Sequence, residues 1–232
     1  MTFSINSLKY NDQGLIPAVV QDHLTGEVRM MAWMNREALE QTLKTRKATF
    51  FSRSRQSSWV KGETSGHFLE VHQVFADCDA DTILVLAEPR GPSCHTGAEN
   101  CFLHELIPDL QEGENLDDVR VKENSLALPF FSVLERELEG RRASTGEKSY
   151  TRSLFDGGAK KIGEKVCEEA GELAEALANE SDERVANEAA DEIYHLLVGV
   201  LWRKLSFRSV LRVLAGRFGV GGHDEKASRL SK

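Results

Sequence analysis

The chain has 232 residues, 41% of them hydrophobic, and a formal net charge of −8. That is enough apolar material for a real core, and the acidic balance argues against unaided binding to nucleic acid or an anionic membrane surface. No apolar run reaches membrane-spanning length, the opening MTFSINSLKYNDQG reads as neither a secretory signal nor an arginine-rich transit segment, and the four cysteines therefore point to reduced thiols in a cytoplasmic setting. Such thiols bind metal or react more often than they pair.

Residues 1–108 alternate short apolar runs with turns. LIPAVVQD and EVRMMAW read as a hairpin with Gly26 at its tight position. Asn35 is placed to cap NREALEQTLKTRK, whose Ala38, Leu39 and Leu43 mark one helical face. ATFFSRS, HFLEVHQVFAD and TILVLAE are further strands, so this domain is expected to be α+β with a mainly antiparallel sheet.

Between two of those strands lies SRSRQSSWVKGETSGH, residues 52–67. Divided at residue 124, the chain has 12 basic against 19 acidic residues before that point and 17 against 18 after it. Arg53, Arg55 and Lys61, with Ser52, Ser54 and Ser65, thus form a cationic, hydroxyl-rich patch in the more acidic half. Guanidinium forks and a glycine that lets backbone approach suit a phosphorylated substrate, and Trp59 is able to stack on a base. A solvated strand face followed by a polar hairpin fits the same residues.

From Asp77 to Cys101 the chain gathers three of its four cysteines. If the run holding Asp77, Asp79 and Asp81 is extended, its carboxylates share one side and Cys78 points to the other. Hard oxygens suit magnesium and thiolates suit zinc, so one segment would serve two ions. Cys78, Cys94 and Cys101 make a three-sulfur set, one ligand short of a closed structural zinc site. His95, next to Cys94, is open to three roles: fourth ligand, general base, or satisfied core histidine.

PDLQEGENLDDVRVKEN, with six acids and no sustained period, reads as a linker over 109–124. Beyond it strand signals disappear, and 125–232 is expected to be an all-α helical bundle in a second domain. LPFFSVLERELEGRR is amphipathic, and SYTRSLFDGG is a short helical piece stopped by Gly157 and Gly158. Two longer helices carry stripes at Val166, Ala170, Leu173 and Leu177, and, after a Ser181 cap, at Val185, Ala189, Ile193, Leu196 and Val200. SFRSVLRVLAGRF is the last helix, before a glycine-rich polar tail.

Glu169 and Glu172 lie three apart on the first long helix, and Glu188 and Asp191 three apart on the second. That spacing puts each pair on one face, beside the apolar stripe. Four carboxylates brought together repel unless a divalent cation joins them. Glu168 is close enough to add a ligand and Lys165 to reach phosphate, whereas Cys167 reads as buried filler.

These motifs resemble two known families. MAWMN, FSRSR, WVKGETSGH, DCDAD and SCHTG with Cys101 look like phosphoribosyl-AMP cyclohydrolase. SYTRSLF, KVCEEAGEL and NEAADEIYHLL look like phosphoribosyl-ATP pyrophosphohydrolase, and the order of the two matches the bifunctional family of histidine biosynthesis. The resemblance implies that Cys78, Cys94 and Cys101 hold Zn2+, with ligands drawn from both subunits of a homodimer, and that Asp77, Asp79 and Asp81 hold Mg2+. It further implies Mg2+ on Glu169, Glu172, Glu188 and Asp191, proton transfer by His95, and substrate binding by Ser52, Arg53, Ser54, Arg55, Trp59, Lys61, Ser65, His67 and Lys165. The implied chemistry is release of pyrophosphate from phosphoribosyl-ATP, then opening of the purine ring between N1 and C6 by zinc-activated water. Two other readings are a structural zinc that staples a dimer without turnover, and a general nucleoside triphosphate pyrophosphohydrolase.

Overall fold

Alternation of apolar and polar residues builds the sheet of the first half. β1 (Ile16–Asp22) buries every second residue from Ile16 to Asp22, as a strand covered on one face must. It turns through Gly26, whose φ of +76° favours glycine, into β2 (Val28–Met34). Next comes α1 (Arg36–Thr45), whose Asn35 cap accepts a 2.9 Å hydrogen bond from the Ala38 N–H. Its inner face is Ala38, Leu39 and Thr42; Leu43, expected there, is 39% exposed. Thr42 takes the inward place because its hydroxyl donates to Ala38 O and accepts from Thr49 N, tying the helix to the next strand.

The cationic stretch is itself a hairpin, β3 (Thr49–Ser52) against β4 (Ser57–Val60). β5 (Leu69–Ala76) and β6 (Ile83–Pro89) follow, then the short pair β7 (His104–Leu106) and β8 (Val121–Glu123). The main sheet runs β2-β1-β6-β5, with β1 and β6 parallel and the other neighbours antiparallel. It is a mixed sheet, because the chain crosses over between β1 and β6 instead of turning back in a hairpin. Ile16, Val20, Met34, Phe50, Leu69, Ile83 and Val85 form its core, each at most 2% exposed.

The computed structural model describes residues 4–107, 119–143 and 149–218, and the chain divides into two units, 1–129 and 130–232. Of the stretch read as a linker, 109–118 lies outside the described residues, as does the polar tail from 219. Val121–Glu123, read as linker, pairs with His104–Leu106.

The second unit is helical: α2 (Phe130–Ala143), α3 (Tyr150–Asn179), α4 (Asp182–Trp202) and α5 (Phe207–Arg217). The glycine stop survives as a kink inside α3, where Gly158 has φ 64° and ψ −163° and helical geometry resumes at once. Ser181 caps α4 by accepting from Arg184 N. Leu138, Leu154, Phe155, Ile162, Leu197, Val198 and Leu201 make the core. No described helix is long and apolar enough to cross a membrane.

The apolar stripes do not define the buried faces. On α3 the buried residues near the acids are Ile162, Glu169 and Ala176, while Leu177 is 66% exposed. On α4 they are Glu188, His195, Leu197, Val198 and Leu201, while Ile193 and Leu196 are exposed. Both faces carry apolar residues at helical spacing, and burial goes to the face turned toward the neighbouring helix.

Candidate active sites

A cleft of about 530 Å³ in the first unit is lined by residues far apart in sequence, among them Met30, Arg55, Trp59, Lys61, Ser65, His67, Cys94, His95 and Cys101. Cys94 and Cys101 both line it, near enough for each thiol to influence the other's ionisation. Thr96 Oγ1 donates to Cys94 Sγ at 3.1 Å. That bond outweighs burial and holds the Cys94 thiol below its ordinary pKa. Cys101 moves the other way: desolvation of its thiol, reinforced by the Cys94 sulfur, pushes it up to about 11, although the residue as a whole is exposed. Thiols in one cleft offer soft donors that a thiophilic cation takes in their deprotonated form. Cys78 is exposed and does not group with the other two within a single chain.

The loop carrying these sulfurs is anchored by a buried polar network that the sequence reading missed. Arg29 donates to Glu27 Oε2 at 2.7 Å and to Ser93 Oγ at 3.1 Å. Asn100, fully buried, donates to Glu27 Oε1 and to Ala127 O, and Cys101 N donates to Arg29 O. Both oxygens of Glu27 are therefore satisfied, which a buried carboxylate requires. Glu-x-Arg on a strand, with Asn directly before a cysteine, gives no signal of this in sequence, because the partners lie some 70 residues apart.

The basic patch is divided by the fold. Arg55, Trp59, Lys61, Ser65 and His67 line the cleft, whereas Ser52, Arg53 and Ser54 do not. Arg53 lies over the Trp33 ring instead, 5.2 Å from its centroid. Trp59 packs against Phe50 at a 43° tilt. Lys61 is buried and donates to His67 O at 3.2 Å. Desolvation lowers its pKa, against the pull of Cys101. Gly62 is needed for this geometry: at φ +93°, any Cβ would stand 2.5 Å from the His67 backbone. The close approach it permits is to the protein's own chain.

Asp77, Asp79 and Asp81 do bring carboxylate oxygens within 4.8 Å of one another, all exposed. They do so in the turn between β5 and β6, not on an extended run as expected. Asp77 Oδ1 accepts from the N–H groups of Asp81 and Thr82, and Ala80 adopts φ 65°. Aspartate favours such side-chain-to-backbone turns over strand. Slight desolvation notwithstanding, those amide donors hold the Asp77 carboxyl below its ordinary value.

In the second unit Glu169, Glu172 and Glu188 offer oxygens within 4.8 Å of one another. Glu169 and Glu188 are buried and Glu172 is exposed. Asp191 is not part of this group and is exposed. Burial raises the Glu188 pKa, Arg184 partly offsets it, and Glu172 adds repulsion. Lys165 forms ion pairs with Glu168 at 2.9 Å and Glu169 at 3.0 Å, so its ammonium is spent on the acids. His195, also missed from sequence, is buried beside them. Its Nδ1–H donates to Asp191 O at 2.8 Å, which leaves Nε2 to accept from the Tyr150 hydroxyl at 2.9 Å. The same Nδ1 is 3.6 Å from Glu169 Oε1. Three oxygens on one face of a helix pair suit a hard divalent cation.

A sheet unit with a sulfur-lined cleft and an aspartate turn, and a helical unit with a glutamate cluster, together define a two-part protein with a candidate active site in each half. Residues 30–103 match the phosphoribosyl-AMP cyclohydrolase family and residues 131–218 the phosphoribosyl-ATP pyrophosphohydrolase family. Relatives named histidine biosynthesis bifunctional protein HisIE include one from Wolinella succinogenes, 39% identical over 99% of both chains. Another, from Bacillus subtilis, is 43% identical over 91% of this chain and 95% of its own. A third, described as chloroplastic, from Arabidopsis thaliana, is 39% identical over 97% of this chain and 80% of its own. The chain belongs to this bifunctional family of histidine biosynthesis, an enzyme with phosphoribosyl-AMP cyclohydrolase and phosphoribosyl-ATP pyrophosphohydrolase activities.

Proposed function

We propose that the second unit releases pyrophosphate from phosphoribosyl-ATP and the first opens the purine ring of the resulting phosphoribosyl-AMP between N1 and C6. The domains are assigned to 1–108 and to an all-α bundle at 125–232, around a connecting segment at 109–124 whose end pairs back onto β7. The observation that carries the first assignment is the convergence of Cys94, Cys101 and His95 on one cleft lined by Arg55 and Trp59. The second rests on the three glutamates gathered between α3 and α4.

Cys94 and Cys101 line the same cleft, and their softness suits Zn2+. The third ligand is the partner subunit's Cys78 in a homodimer. In favour of this, Cys78 is exposed on a turn away from the other two sulfurs, and the sheet leaves Met31 and Phe75 exposed at 44% and 46%. Mg2+ is assigned to the aspartate turn and to Glu169, Glu172 and Glu188, with Asp191 adding negative charge beside Glu188. When bound, zinc supplies an activated water for attack at C6, and magnesium offsets charge on the phosphate oxygens.

The chain's own groups do the rest. His95, exposed at the cleft beside Cys94, takes or returns protons. Arg55 presents an exposed guanidinium to phosphate, with Ser52, Arg53 and Ser54 on the same hairpin. Lys61, buried, lies within electrostatic reach of Cys101 to offset its charge once deprotonated, and Ser65 and His67 line the same cleft.

Supplying phosphoribosyl-ATP with both ions and following pyrophosphate and ring-opened product tests the whole scheme. Cys94→Ser is expected to abolish zinc binding and ring opening while sparing pyrophosphate release, and Glu172→Gln to do the reverse. Each loss should exceed the roughly 10- to 100-fold that follows removal of an outer-shell partner. A Cys94→Ser protein that opens the ring at the wild-type rate refutes the zinc assignment, and comparable turnover of ordinary deoxynucleoside triphosphates refutes the substrate assignment.

A further inference from the structure

We propose that His23, His72 and Glu88 form a separate binding site for a first-row divalent transition ion, with zinc as its representative. The three come from neighbouring strands at one end of the sheet. His23 directly follows β1, Glu88 lies on β6 and His72 on β5, with β6 between the other two. Their ligand atoms all lie within 4.8 Å of one another, and none of the three lines the sulfur cleft.

Local structure holds each donor in place. Asp22 Oδ1 accepts from Leu24 N and Thr25 N, which folds the β1–β2 turn, and His23 N donates to Ala87 O at 3.1 Å. His72 sits at a β-bulge: Val71 pairs with Ala87 and Gln73 with Leu86, so His72 is the extra residue. A bulge re-aims a side chain that regular pairing would place elsewhere. Here it brings the His72 ring onto the His23 ring, with centroids 3.8 Å apart and planes within 14°. His72 Nε2 is 3.9 Å from Glu88 Oε2, while Arg90 stands 3.8 Å from the other oxygen, Oε1. One carboxylate oxygen thus faces the imidazoles and the other is engaged by a cation.

Two nitrogens and one oxygen suit zinc and its neighbours and discriminate against magnesium and calcium. Bonds of about 2.0–2.1 Å at tetrahedral angles set neighbouring ligands about 3.4 Å apart. The 3.9 Å His72–Glu88 gap therefore has little to close, and because stacked rings do not both aim a lone pair at one ion, binding would turn the His72 ring, 45% exposed, out of the stack. The bound ion would clamp the β1–β2 turn to β5 and β6.

The test is equilibrium dialysis of the full chain against buffered zinc, comparing wild type with His72→Gln and His23→Asn. Each variant should hold about one zinc fewer per chain, the loss should add to that of Cys94→Ser, and both enzymatic rates should remain those of the wild type. Zinc should raise the melting temperature of His72→Gln less than that of the wild type. Because a variant can misfold, ¹⁵N-histidine spectra of the wild type give a second measurement: zinc should shift the His23 and His72 ring signals, and still do so in Cys94→Ser. Equal zinc content in wild type and both variants, or histidine signals that do not move, overturns the proposal.

Discussion

In the sheet unit the groups that line the cleft come from Met30, Lys61, His67, Cys94 and Cys101, spread over some seventy residues, whereas in the helical unit the acids come from two consecutive helices. The first site is therefore held by a dedicated scaffold, the buried Glu27–Arg29–Asn100 network, and the second chiefly by helical spacing, with Lys165 and His195 supporting Glu169 from the same two helices. The sheet unit also keeps Cys78 apart from Cys94 and Cys101, while each unit closes a three-carboxylate cluster within the chain. The contrast shows that a site distributed along the sequence needs supporting polar groups as well as ligands, and that those supports are where it is most easily broken.

The largest effect is expected from removing that support. Arg29→Met leaves Glu27 buried with one charge partner gone, and such a break costs about 3–5 kcal/mol. Thermal unfolding of the full chain should show the loss in the sheet unit only, with zinc content reduced because Ser93, beside Cys94, loses its side-chain anchor while the Cys101 N–H keeps the Arg29 carbonyl. An unchanged sheet-unit transition would mean that the loop is held in some other way.

The helical unit should be most sensitive at its kink. Gly158→Ala forces a Cβ into φ 64°, ψ −163°, a strain of about 1–3 kcal/mol. Here the helical transition should fall and ring opening persist. Tyr150→Phe is milder: it removes the donor to His195 Nε2 and should cost about 1 kcal/mol, with a several-fold drop in pyrophosphate release. If the rate is unaffected while stability falls, His195 has no part in placing Glu169.

The smallest effect sharpens the role of burial. Arg90 bonds Glu70 much as Arg29 bonds Glu27, but both side chains are nearly half exposed. Arg90→Met should cost less than about 1 kcal/mol at neutral pH. The Arg90 hydrogen bond holds the Glu70 carboxyl below its ordinary pKa. Its contribution is therefore present above the unfolded carboxylate pKa of about 4.3 and is lost as pH falls through the lower folded value. The gap between wild type and Arg90→Met should narrow in acid, and a gap that widens there would contradict the assignment.

Much of this was legible in the residues. Period-two and helical patterns located the β1–β2 hairpin, the strands around the aspartate turn and the long helices, and Asn35 and Ser181 cap where their side chains suggest. The reading failed where a local pattern admits two outcomes. Leu43 and Leu177 fit their stripes yet face outward, and the aspartate run satisfies its own backbone as a turn.

The sequence by itself determined the donor types and their spacing along helices, because those depend on side-chain chemistry and on periods of two or 3.6 residues. Tertiary structure alone decided which helix face is buried and that Lys165 pairs with acids. It also decided that Cys78 stands apart from Cys94 and Cys101, and that His23 meets His72. Each of these depends on which distant segment lies alongside, a property of long-range packing that no local period encodes.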